Sequence, residues 1–85
     1  KGNTKLTKVV IGKNVRTIGS RAFYGCKNLK YVTIKNTQMT GKTVGASAFT
    51  GTYAKMTVKV PAKKLKSYKT ILLKRGVSKK AVIKK

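Results

Sequence analysis

A short apolar alternation returns along the chain. Leu6-x-x-Val9-x-Ile11 recurs as Leu29-x-x-Val32-x-Ile34, a shift of 23 residues, and Val58-x-Val60 repeats its second half 26 residues further on. Between these runs lie Ile18-Gly19-x-x-Ala22-Phe23-x-Gly25 and Val44-Gly45-x-x-Ala48-Phe49-x-Gly51, also 26 apart. The three-residue difference places a small insertion near 37–41, where polar residues and glycine suit a loop.

Each unit has a physical reading. Alternation at Val9 and Ile11 predicts a short strand with one buried face. Val15 and Ile18 are spaced to carry the chain over the core. Ser20–Phe23 predicts a short helical turn, N-capped by Ser20, with Ala22 and Phe23 pointing inward. Gly25 closes that turn, and Leu29 leads into the next strand. A unit of 23 to 26 residues cannot bury its apolar side alone, so neighbours must stack into one continuous core. The expected fold is α/β: a repeat solenoid fragment of short parallel strands.

The string LTKVVIGKNVRTIGSRAFYGCKNLKYVTI resembles the BspA-like subclass of leucine-rich repeats. The pattern is matched at Leu6, Val9, Ile11, Val15, Ile18, Gly19, Ala22, Phe23, Cys26 and Leu29. The second copy departs from it: Thr52 replaces the cysteine, Lys55 stands where leucine is expected, and Gly41 replaces Val15. The resemblance covers about residues 4–61 and reads residues 1–61 as two repeat units, the second degenerate. It implies a bacterial surface or secreted protein, extracellular, with adhesive or recognition roles and no particular ligand.

Residues 62–85 read as a C-terminal helical cap and tail. Leu65, Tyr68, Ile71 and Leu72 fall on one stripe of a helix over 62–75. Pro61 suits its start and Gly76 its end. Lys74 and Arg75 sit at the negative end of the helix dipole. Val77 and the Ala81-Val82-Ile83 run either add a last strand or dock on the core. The helix is read as a cover for the stack, with a basic amphipathic helix on anionic lipid as the alternative.

Charge changes the picture of partners. The 85 residues hold 22 Lys+Arg and no Asp, Glu or His, a formal charge of +22. Self-repulsion of that size favours an anionic partner and is screened by salt. Only Arg16, Arg21 and Arg75 are arginines. A lysine-dominated surface suits salt-sensitive attraction better than base readout, so nucleic acid is the less favoured polyanion.

The same composition bears on chemistry. With no carboxylate side chain and no histidine, the usual general acids, bases and metal ligands are missing, and neither catalysis nor a cofactor or metal is expected. Cys26, the single cysteine, sits at an inward repeat position and reads as a buried thiol. Gly41-Lys42-Thr43 resembles the end of a phosphate-binding loop but lacks the upstream glycine. No apolar run approaches the ~18 residues of a membrane span.

If the alternating valines and isoleucines point inward, their neighbours point out. Lys8, Tyr31 and Thr57 then form one outward column, and Val10, Thr33 and Lys59 the next, extended by Lys35. This is the candidate ligand surface, suited to an acidic peptide or a glycan. Three functions remain open: an interaction or adhesion module with a protein or glycan ligand, a polyanion binder for nucleic acid, sulfated glycan or wall polymer, and a purely structural cap of a longer array. The first unit's face at Leu6, Val9 and Ile11 is expected to be partly exposed and open to self-association.

Overall fold

The computed structural model describes residues 4–85. Four strands, β1 (Lys8–Ile11), β2 (Tyr31–Ile34), β3 (Thr57–Lys59) and β4 (Val82–Lys84), form one parallel sheet in chain order. A 3-10 turn at Ala62–Lys64 and the helix α1 (Leu65–Lys74) lie between β3 and β4. The register is that of the sequence repeat: Val9 pairs with Val32, Val32 with Val58, and Val58 with Ile83. Of the two readings of the Ala81-Val82-Ile83 run, the last strand is the one realised, and β4 adds a fourth rung after α1.

A second ladder runs along the opposite side of the coils. The amide of Ile18 donates to Thr43 O at 2.8 Å, and Gly45 donates back to Ile18 O at 2.7 Å. Arg21, Phe23 and Gly25 then donate to the carbonyls of Ala46, Ala48 and Thr50 at 3.1, 2.8 and 2.8 Å. The intervening amides of Ala22, Tyr24 and Cys26 close local turns on Gly19, Arg21 and Phe23, each at 3.1 Å. Alternate amides thus hold the turn and the next coil. This overturns the expected helical turn at Ser20–Phe23: half its amides are taken by a neighbour, and Arg21 has φ of 58°, outside helical space. Ser20 does not cap; its Oγ donates to Ala46 O at 3.2 Å.

The core lies between the two ladders. Leu29, Val32, Ile34, Phe49, Met56, Val58, Tyr68 and Leu72 are among its buried members, with Cys26 as expected. Phe23 stacks on Phe49 with ring centroids 5.3 Å apart. Two expectations are corrected. Lys55 stands at the leucine position by count, yet the neighbouring Met56 is fully buried and fills the space. Of the first unit's face, Leu6 and Val9 are partly exposed, but Ile11, in register with Ile34, is buried at 4% exposure, and the inserted loop supplies Met39 to the core.

The last coil is tied to the second by polar contacts. Tyr68, fully buried on α1, donates its hydroxyl to Asn36 O at 3.1 Å and accepts the amide of Met39 at 3.0 Å. Asn36, the one buried polar side chain among the described residues, donates from Nδ2 to Val15 O. Arg75 donates from Nε to Val44 O at 2.8 Å and from its guanidinium to Gly41 O at 2.6 Å, and its own carbonyl accepts Phe49 N–H at 2.9 Å. Gly76, at φ of 105°, passes so close that a Cβ there would lie 2.5 Å from Thr50 N. Only glycine fits that crossing.

Candidate interaction surface

Period-two alternation makes the outer face of the sheet. Register pairs line up Lys8, Tyr31, Thr57 and Val82 in one row, and Val10, Thr33, Lys59 and Lys84 in the next. The seven residues expected from the sequence are brought together. Lys8, Val10, Tyr31, Lys35 and Lys59 are exposed, while Thr33 and Thr57 are half-buried between them. Tyr31 is 55% exposed although it stands on an inner strand, so its ring is held out over the sheet.

Two open hollows meet at Thr33 and Lys59. One, of about 460 Å³, is bordered by Lys8, Tyr31, Val32 and Thr57. The other, of about 370 Å³, is bordered by Lys13, Ile34, Lys35, Val60 and Pro61. The face thus carries lysines on every rung plus Tyr31 and two threonine hydroxyls. On the inner strands β2 and β3 the backbone groups are spent on the parallel ladder, so recognition there rests on side chains.

Sequence reasoning missed Lys13, Val82 and Lys84. The last two were legible in principle, since Ala81-x-Ile83 follows Met56-x-Val58 at a shift of 25. The arginines stand elsewhere: Arg75 is consumed by carbonyls of the second coil, and Arg21 lies over the Tyr24 ring at 5.5 Å. Among the described residues no group of three or more His, Cys, Asp or Glu is placed to hold a metal ion. No helix among them is long and apolar enough to cross a membrane.

Parallel strands stacked one per coil, closed by turns on the far side, define a leucine-rich-repeat solenoid. The family model described as BspA type Leucine rich repeat region (6 copies) matches residues 2–76, and the chain belongs to that family. Neither a curated protein nor a solved structure matches it. Such repeats are typically non-catalytic and act as protein-interaction modules.

Proposed function

We propose that the chain is a non-catalytic interaction module that engages an anionic protein or glycan through the outer face of its sheet, in an extracellular or cell-surface setting. The carrying observation is that Lys8 and Lys59 border one hollow with Tyr31, and Lys13, Lys35 and Lys59 border the adjoining one with Thr33, in a chain without a single acidic side chain to neutralise them. Lysine ammonium groups supply long-range attraction, and the Tyr31 ring supplies a flat apolar contact with a polar tip. The cell-surface setting rests on the family resemblance.

The test uses two probes, a heparin fragment and polyglutamate, titrated into the wild type and the Tyr31→Ala and Lys59→Gln variants. Each substitution is expected to weaken capture about fivefold or more while leaving Tm nearly unchanged. Affinity should fall steeply with salt. Unchanged affinity in both variants rejects this face as the binding site and leaves the chain as a structural end of an array.

A further inference from the structure

Taking the outer face of the sheet as the binding surface, as proposed above, we infer that its two adjoining hollows form one bipartite site for a sulfated glycan. A sugar ring lies on Tyr31, and a sulfate ester on its neighbour is held by Lys13, Lys35 and Lys59.

The chemistry of the face divides along β2. Tyr31, Thr33 and Lys35 follow at every second residue, so they face the same way in steps of about 7 Å. The amide of Lys35 donates to Ile11 O at 2.8 Å, which keeps the row straight past the end of the strand. The hollow at the Tyr31 end holds the aromatic ring, bordered by Lys8, Thr57 and Lys59. The hollow at the Lys35 end has no aromatic residue and three lysines, Lys13, Lys35 and Lys59. Thr33 and Lys59 border both, so a single ligand reaches from one to the other. Such a ligand needs a flat apolar surface at one end and concentrated negative charge one step away.

Crowded like charge marks the second end. Lys59 stands in register with Lys84 on β4, and directly opposed like charges cost stability. No acidic side chain exists in the chain to relieve them. A sulfate ester spreads its charge over several oxygens, so one group accepts charge-assisted hydrogen bonds from more than one ammonium.

Donors and acceptors decide between ligand classes. The side chains bordering the hollows offer ammonium donors and the hydroxyls of Tyr31, Thr33 and Thr57, with no carboxylate or amide among them. The carbonyls of β2 and β3 are committed to the ladder. An extended acidic peptide brings a main-chain N–H at nearly every residue, and the face has few acceptors to meet them. A sulfated glycan brings sulfate and ring oxygens that only accept, and hydroxyls that rotate to suit. Single-stranded nucleic acid stacks successive bases on several aromatic rings. Tyr31 is the one aromatic residue bordering either hollow, and no arginine joins it.

The test titrates three probes of matched charge: a heparin-derived tetrasaccharide, a polyglutamate peptide and an oligothymidylate. The wild type should favour the tetrasaccharide over each rival by about tenfold or more. Lys13→Gln with Lys35→Gln should lose about tenfold for the tetrasaccharide and less than about threefold for polyglutamate. Lys63→Gln with Lys66→Gln removes the same charge at exposed positions of the 3-10 turn and α1, and should cost less than about threefold. All four substitutions are at exposed lysines, so Tm should stay level or rise. Equal or tighter binding of polyglutamate or the oligonucleotide, or equal losses from the two double variants, would overturn the sulfated-glycan site. If Tyr31→Ala and Lys59→Gln still weaken capture in that case, the face remains the binding surface. If they too have no effect, or no probe binds the wild type, the reading of the face falls with the site.

Discussion

The two ends of this stack are built from the same repeat and finished differently. At the N-terminal end Leu6, Val9 and Phe23 lie half-covered, and the Gly19 side faces open space. At the C-terminal end the third coil exchanges its turn arm for α1, whose Tyr68 and Leu72 are fully buried against the second coil. The final strand β4 is three residues long and is followed by Lys85, which blunts a sheet edge. Equivalent residues therefore differ in burial because of their neighbours, not their own sequence. In a repeat stack, stability belongs to the interfaces between coils.

The largest expected effect separates equivalent leucines. Leu29→Ala empties a fully buried site and should cost about 2–5 kcal/mol. Leu6→Ala, at the half-covered end, should cost less than half as much, because solvent already reaches the site and little cavity forms. Urea unfolding of both variants measures the gap. Equal losses would mean that the first coil is as well packed as the second, and the contrast between the ends would collapse.

Next comes the buried polar tie of the C-terminal end. Tyr68→Phe keeps the ring but removes the hydroxyl shared by Asn36 O and Met39 N. Buried groups left without a partner cost about 1–3 kcal/mol, so the variant should lose that much stability. Amide exchange at Met39 should accelerate more than exchange in β1. Protection unchanged at Met39 would show that the inserted loop is held by its apolar contacts alone.

This tie marks the boundary of what the sequence made legible. The strands at Val9, Val32 and Val58, their parallel stacking and the outward rows containing Lys8, Tyr31 and Lys59 follow from period-two alternation and the repeat shift alone. Local patterns with a fixed period survive any tertiary setting. The misread positions all depend on a partner far along the chain. Ser20 looked like a cap until the amides after it were claimed by Ala46 and Ala48. Met56 replaced the missing leucine by a one-residue displacement, which an alignment counted at a constant shift does not register. The Ala81-Val82-Ile83 run left a strand and docking on the core both open, and pairing with the edge of β3 makes it a strand. For the candidate surface, the outward positions were readable and relief was not: one of the two hollows at Thr33 and Lys59 takes its border from Lys13 and Pro61, which the strand alternation does not place there.

The smallest expected effect concerns the face that both ends share. Val10 on β1 and Val82 on β4 are 54% and 51% exposed, on opposite edges of the same outer surface. If coverage distinguishes the ends only on the inner side, Val10→Thr and Val82→Thr should each change stability by less than about 0.5 kcal/mol. Threonine keeps the β-branched shape that a strand favours, so backbone preference stays nearly constant and the comparison isolates packing. Denaturant midpoints of the two variants should coincide within error. A clear excess loss at Val10 would show that the outer face of the first coil is also packed against something, and that the difference between the ends extends through the whole sheet rather than stopping at its core side.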